Sequence, residues 1–429
     1  MRNSRWLALY LNLTRFAAPV ARIQIRRRLR RGKEDPTRYI EKLGSPSLHR
    51  PKGLLAWMHG VGVGELLALT SLARAMQEEI PELEILFTSV SLSSADAISR
   101  SMPPRSRHQF LPADCPEFVH GFLEHWRPDI AVCSERDIWP RLTIESKAHG
   151  IPLALVNGRM NSYSFRSKMR VRSAYRELYE MFDVVEAQDE GTARRLLALG
   201  ASKKSLRVAG TLKSGGWPLF DLPEERRRFE RLLAHRRVWI AASTHDEDEI
   251  VVAEAHRRIL GRCPETFLAI IPRDISRCEA IARELERHSI SCQVLVGGAV
   301  PEEIRSQACV VDAYGQLGIW YRLAASAFIG GSIAKIGGHN PYEAARLDCA
   351  ILHGPNTENF SADYEAFDEC GAARLIRNAH DLAEAVLDPD LRKLAMKAKA
   401  VANRGDDALR KTATGLARLM KNRPTSMHG

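Results

Sequence analysis

The sequence predicts an α/β protein with parallel sheets, arranged as two nucleotide-fold domains facing each other across a cleft. Three observations lead there. Short apolar runs alternate with helical patterns of about 10–15 residues, the signature of parallel strands joined by right-handed crossovers. A glycine loop with an acid in the helical turn beyond it occurs once in each half: Gly60-Val61-Gly62-Val63-Gly64-Glu65 and Gly337-Gly338-His339-Asn340-Pro341-Tyr342-Glu343. The alternation pauses once, from Ser214 to Arg237, where Gly215, Gly216, Pro218 and Pro223 precede a charged run. Two such halves suit an enzyme that holds a nucleotide-sugar in one and an acceptor in the other.

Along the chain, residues 1–33 carry no acid. An apolar segment, Trp6 to Ala21, is followed by Arg22, Arg26, Arg27, Arg28, Arg30, Arg31 and Lys33. The segment is too short to span a bilayer and is broken by Asn12, Arg15 and Pro19. Those breaks also spoil a signal-peptide core. An amphipathic basic anchor lying in the membrane interface is expected. Trp6, Leu7, Leu9, Tyr10, Leu11, Leu13 and Phe16 would enter the headgroup boundary and the arginines would meet anionic lipid. A solvated basic tail is the plainer alternative.

Strands are then expected at Leu54–Met58, Glu84–Thr88, Ile130–Cys133, Pro152–Val156 and Asp183–Glu186. After the pause they resume at Val238–Ala241, Thr266–Ile271, Ala308–Val311, Ala327–Ile329 and Ala350–Leu352. Helical patterns include Glu65–Gln77, Glu117–Trp126 and Trp139–His149. The expected organisation is an anchor over residues 1–35, a first domain over 36–213, a linker over 214–237 and a second domain over 238–429. In open parallel sheets ligands sit beyond the carboxyl ends of the strands. The loops Gly60–Glu65, Ser243–His245, Pro272–Asp274, Gly330–Ser332 and Gly337–Glu343 would therefore line the site.

Bulk properties narrow the partners. With 429 residues, 45% hydrophobic and 27% charged, the chain is an ordinary globular protein of two or three domains. A net charge of +11 points to an anionic partner: an acidic membrane, a phosphorylated substrate or nucleic acid. No aromatic stacking platform or base-reading motif accompanies the charge, which argues against nucleic acid. Eight cysteines show no CxxC and no Cys/His cluster. That spacing argues against a disulfide framework or a zinc site and for reduced, buried thiols in a cytoplasm.

Taken in order, a set of short motifs resembles the bacterial Kdo transferases, which move 3-deoxy-manno-octulosonic acid (Kdo) from its CMP derivative to a lipid A precursor. The motifs are Gly62-Val63-Gly64-Glu65, Trp139-Pro140, Asn157-Gly158-Arg159, Thr211-Leu212-Lys213, Ala242-Ser243-Thr244-His245, Pro272-Arg273, Gly330-Gly331-Ser332, Gly337-Gly338-His339-Asn340-Pro341 and Gly354-Pro355. The resemblance covers nearly the whole chain. It implies a GT-B architecture of two Rossmann-like domains, an inverting mechanism without cofactor or catalytic metal, and attachment to the cytoplasmic face of the inner membrane. CMP-Kdo, a lipid A precursor and an anionic membrane surface are the partners it implies.

The residues fit that chemistry. The spacing Gly60-x-Gly62-x-Gly64 is not the dinucleotide fingerprint, so a nicotinamide cofactor is disfavoured. Glu65 at a helix start would be held ionised, which suits a general base; complementing the helix dipole is the alternative. Arg273 is placed for a bidentate contact to an anion, with a salt bridge to Asp274 or Glu279 as the alternative. Lys213 could neutralise phosphate, and Ser243, Thr244 and His245 could offer hydroxyls, amides and an imidazole to it. Asn340 can cap, Pro341 fits the first helical position and Glu343 could accept ribose hydroxyls. Gly331, Gly338 and Asn359 complete the donor candidates. Gly62, Gly64, Asp137 and Arg159 are the acceptor candidates.

The chain also departs from the family pattern. Met-Glu-Thr-Glu-Leu-Trp-Pro reads Ser134-Glu135-Arg136-Asp137-Ile138-Trp139-Pro140, and a usual glutamate is Gln316. A usual histidine is Asp274, and Gly354-Pro355 is followed by Asn356-Thr357-Glu358-Asn359-Phe360. Transfer of Kdo is the expectation. A GT-B transferase using another nucleotide-sugar or acceptor, and a catalytically silent membrane-associated paralogue, are the alternatives.

Overall fold

The computed structural model describes residues 4–99, 101–134, 138–212, 219 and 221–422. The chain divides into two compact units, Met1–Gly216 with Gly405–Gly429, and Trp217–Arg404.

The first unit is built on a seven-stranded parallel sheet of β1 (Leu55–His59), β2 (Glu84–Ser89), β3 (Ser106–Phe110), β4 (Ile130–Ser134), β5 (Leu153–Gly158), β6 (Val184–Ala187) and β7 (Leu206–Val208). Their order is β3-β2-β1-β4-β5-β6-β7. Successive side chains of β1 enter opposite cores. Ala56 and Met58 pack with Leu66, Leu69 and Leu72 of the helix Val63–Glu79, whereas Leu55 and Trp57 pack with Phe122 and Trp126 of the helix Pro116–Trp126. A strand covered on both faces must read as a continuous apolar run, and it does.

The second unit repeats the plan with β8 (Arg237–Thr244), β9 (Thr266–Pro272), β10 (Cys292–Val296), β11 (Ala308–Asp312), β12 (Ser326–Ile329), β13 (Ala350–His353) and β14 (Ala373–Leu375). Their order is β10-β11-β9-β8-β12-β13-β14. Each sheet therefore reverses its direction of growth once, between β1 and β4 and between β8 and β12. Such switch points are where open α/β sheets bind ligands.

The unit boundaries differ from the sequence expectation at two places. Residues 223–232 form a helix, not a linker, and Phe229 is buried in the second core 4.8 Å from the Trp320 ring. The final helix, Leu391–Lys421, does not stay in one domain. Ala398 and Ala402 enter the second unit's core, but Leu409, Ala413, Leu416 and Ala417 pack beside Leu66 and Leu69 in the first. Thr412 Oγ1 donates to buried Glu186 Oε2 at 2.8 Å, and Arg207 holds the other oxygen of that carboxylate.

The N-terminal residues form two helices, Arg5–Arg15 and Ala18–Arg30, docked on the first unit. Tyr10 Oη donates to Asp114 Oδ2 at 2.6 Å, Arg141 Nη2 donates to Leu11 O at 2.6 Å, and Arg22 pairs with Glu117 at 2.8 Å. Leu7 is buried, so it and Tyr10 face the protein instead of a membrane, a correction to the expected apolar set. The outward face carries Trp6, Leu9, Leu13, Phe16, Val20 and Ile23, each about half exposed or more. Among the described residues no helix is long and apolar enough to cross a membrane.

Candidate active site

In the first unit the loop after β1 runs directly into the helix Val63–Glu79, with Gly62 at its N-cap. Glu65 is half-buried, and its Oε2 accepts the Val61 N–H at 2.9 Å. The acid therefore fastens its own loop, as an N3 carboxylate does. Gly62 is half-buried and Gly64 exposed, so the loop presents backbone to solvent. Arg159 is exposed at the end of β5, two strands from β1 in the sheet order. Asp137 and Lys213 lie outside the described residues.

Sequence reasoning passed over His59, the last residue of β1. It is buried, its Nδ1 lies 3.1 Å from Thr88 O, and its Nε2 accepts from Trp139 Nε1 at 3.2 Å. Because the carbonyl can only accept, Nδ1 carries the proton and the ring is neutral and fully partnered. Burial holds its pKa down to about 4, with the Thr88 contact pulling the other way. Trp139 of the Trp-Pro motif thus braces the strand end that launches the glycine loop.

The second unit places its candidates on neighbouring strand ends, and more tightly. Ser243 has φ 56°, a left-handed conformation that a non-glycine residue holds at a cost of roughly 1–3 kcal/mol. The twist sits where β8 shifts register against β9, and Arg273 N donates to Thr244 O at 3.1 Å across the pair. A Cβ on Gly330 would lie 2.4 Å from Ser243 O, so only glycine fits at the end of β12. His245 and His339 stack in near-parallel planes with their Nε2 atoms 3.1 Å apart. One ring must donate to the other, so this pair also holds neutral imidazole. Burial holds His339 down to about 4, and His245 and Arg273 push the same way.

Asp248 is the organising residue, and nothing local marks it among the four acids of its helical turn. Fully buried, it accepts from Gly331 N at 2.6 Å, Ile333 N at 3.0 Å, Ala334 N at 3.1 Å and His245 N at 3.1 Å. Its carboxylate staples the loop after β12 to the loop after β8. Gly337 and Gly338, at φ 100° and 73°, both return their N–H groups to Gly331 O. Asn340 Oδ1 accepts from Tyr342 N at 3.0 Å, and the helix starts at Tyr342, one residue later than expected. Glu343 lies 3.4 Å from Asn340 Nδ2. Burial pushes its carboxyl above the usual range, against the pull of Asn340, Arg346 and Arg273.

Two expectations change here. The Thr244 side chain is fully buried with Oγ1 3.4 Å from Glu249 Oε1, so it offers position, not a hydroxyl, to a ligand. The helix that follows begins with Asp246, Glu247, Asp248 and Glu249, whose charge opposes an anion at that N-terminus. The positive charge comes instead from Arg273. It is exposed and has no ion pair among the described residues. Asp274 turns to Ser276 N at 3.0 Å, and Glu249 is matched by Arg277 at 2.6 Å. An unpaired guanidinium beside two imidazoles, glycine loops and a buried acid can bind a phosphate and a sugar hydroxyl.

Comparison with known proteins bears on family and fold. Residues 27–215 match the family model described as 3-deoxy-D-manno-octulosonic-acid transferase (kdotransferase). A protein of Arabidopsis thaliana, named as a probable mitochondrial 3-deoxy-D-manno-octulosonic acid transferase, is 32% identical over 82% of this chain and 80% of its own. The Haemophilus influenzae 3-deoxy-D-manno-octulosonic acid transferase is 26% identical over 88% of each chain. In fold, a glycosyltransferase from Rickettsia africae superposes with TM-score 0.53 over 87% of this chain and all of its own, at 9% identity. The UDP-GlcNAc 2-epimerase of Neisseria meningitidis, solved with UDP-GlcNAc, gives 0.52 over 86% and all of its own, at 13% identity. Two such parallel sheets with these neighbours make the fold GT-B.

Proposed function

The chain belongs to the 3-deoxy-D-manno-octulosonic acid transferase family of glycosyltransferases, and from that premise we propose that it moves Kdo from CMP-Kdo to a lipid A precursor. An acceptor hydroxyl attacks the anomeric carbon of Kdo. The new carbon–oxygen bond forms as the bond to the CMP phosphate oxygen breaks, with inversion. Glu65 takes the hydroxyl proton. Arg273 and Lys213 hold the negative charge that develops on departing CMP, His245 and His339 border it, and Glu343 accepts ribose hydroxyls.

The observation that carries this proposal is the stapled cluster at the β8/β12 switch, with an unpaired Arg273 beside the stacked His245–His339 pair. Charge stabilisation by fixed groups is worth most where the donors need no rearrangement. The acceptor and the membrane face rest on separate support: the outward apolar stripe from Trp6 to Ile23 and arginines 22–31. Together they suit the cytoplasmic surface of an inner membrane.

The deciding experiment is a mass-spectrometric transfer assay with CMP-Kdo and lipid IVA. Kdo-bearing product is expected. Product only with a UDP-sugar would replace the donor while keeping the fold, and no product with any donor would leave a silent paralogue. Gln316 favours the silent alternative: it replaces a family glutamate, and its Oε1 is buried without a hydrogen-bond partner among the described residues. Vesicle flotation tests the membrane half. Deleting residues 1–33 should release the protein from anionic vesicles and leave CMP affinity unchanged.

A further inference from the structure

We propose that His120, Glu124 and His149 form a transition-metal site, of the zinc class, that ties the helix Pro116–Trp126 to the end of the helix Pro140–Ala148. His120 and Glu124 are one turn apart on the first helix and so share a face. His149 caps the second. Their ligand atoms all lie within 4.8 Å of one another. The absence of any His/Cys spacing motif hid the group, because Glu124 and His149 are 25 residues apart in the chain.

The hydrogen bonding around His149 favours a cation. Its Nδ1 lies 2.8 Å from Glu145 O, a carbonyl that can only accept, so Nδ1 carries a proton. In neutral imidazole the lone pair is then on Nε2, and Nε2 faces Glu124 Oε1 at 3.3 Å. Two acceptors at that distance need a positive charge between or beside them. A second proton on the ring supplies one; a metal ion supplies one and also engages His120. Histidine donating its other N–H to a backbone carbonyl is the usual way a metal ligand is oriented.

Distances agree. With metal–nitrogen and metal–oxygen bonds of about 2.0–2.2 Å, tetrahedral ligand atoms sit about 3.4 Å apart. Glu124 and His149 already do. His120 and Glu124 are exposed, so a small side-chain rotation closes the rest without disturbing the core. Two imidazoles and one carboxylate suit zinc, cobalt or nickel and not calcium or magnesium, which take oxygen ligands. A fourth position is left for water.

The site has a structural setting. Asp114, Glu117 and Arg141, which grip the N-terminal helices, lie at the opposite, N-terminal ends of these same two helices. A metal at their far ends would fasten the platform on which those helices rest.

The test uses the full chain stripped of metal and titrated with Co²⁺, whose visible bands report coordination geometry and whose near-ultraviolet charge-transfer band reports thiolate. Zinc is then measured by calorimetry and by its effect on Tm. One equivalent bound without a thiolate band, raising Tm, is expected. His120→Gln is the decisive variant, because it leaves the Glu124–His149 contact intact. It should weaken zinc binding by more than the roughly 10–100-fold seen when only an outer partner is lost. His149→Gln should do the same. Zinc binding and Tm response unchanged in His120→Gln would overturn the site and leave an ordinary Glu124–His149 ion pair. A cobalt spectrum dominated by the thiolate band would also overturn it.

Discussion

At the switch point of the first unit one side chain has two jobs; at that of the second unit the jobs are divided. Glu65 fastens its loop through the Val61 N–H and is also the proposed base. In the second unit Asp248 does the fastening, through four amides, and Arg273 is left to carry the charge. Both sheets switch direction beside their first strand and differ only in where β10 and β11 lie, so topology did not impose this difference. Chemistry accounts for it. A base must be able to take up a proton and let it go, and Glu65 is only half-buried. A phosphate site gains from donors that do not move, which needs a fastener that is not itself the ligand.

The largest expected effect is at Glu65. Glu65→Gln keeps an oxygen for Val61 but removes the base, so turnover should fall about 10²–10⁴-fold with CMP affinity unchanged. Single-turnover transfer alongside circular dichroism separates the two jobs. Near-normal turnover in a folded variant would reduce Glu65 to a fastener and make the two units alike.

Asp248 tests the other half. Asp248→Ala strands four amides, each worth about 1–3 kcal/mol if it finds no water. Urea unfolding should show the loss, and amide exchange at Gly331, Ile333 and Ala334 should quicken while Val61 stays protected. Exchange that rises equally in both loops would mean the stapling is not local.

Arg273→Ala should weaken CMP binding by about 1.5–3 kcal/mol, roughly 10–100-fold, with little change in stability. Unchanged titrations with CMP would remove the division of labour, since the cluster would then have fastening without charge.

In pH dependence the units should agree. His59 and His256 are held at about 4, His108 at about 3 and His339 at about 4, all chiefly by burial. Unfolded histidine titrates near 6.5, so between about pH 6.5 and 4 the unfolded chain binds more protons and stability falls with pH. Each imidazole contributes a slope of at most about 1.4 kcal/mol per pH unit. Asp114 and Glu343, whose values burial raises, oppose this at pH values above their unfolded ones. Urea midpoints across the window should drop. His339→Gln should flatten part of the slope, and a flat wild-type profile would show these rings to be solvated.

How far the sequence reached depends on where each residue sits. Every interior strand was readable, with ends within three residues. The four unread strands, β3, β7, β10 and β14, are the four sheet edges. An edge strand is not sandwiched, so Ser106–Phe110 or Leu206–Val208 carries polar residues and loses the apolar run that betrays a central strand. The glycine loops were readable because backbone conformation limits the residue type directly. His59 and Asp248 were not, because their partners lie in other segments of the chain.

The sequence by itself determined two doubly wound α/β units, their ligand-bearing strand ends and the family, since periodicity and glycine placement are local consequences of backbone geometry. Tertiary structure alone decided which unit claims each half of the final helix. Leu409, Ala413 and Leu416 would make the same amphipathic face against either sheet. It likewise decided that Leu7 faces inward while Trp6 and Phe16 face out, that Asp248 and not its three acidic neighbours staples the loops, and that His120 meets His149. A periodic pattern specifies an element and its buried face, but the partner for that face is set by packing and hydrogen bonds between distant segments, which leave no mark on local sequence.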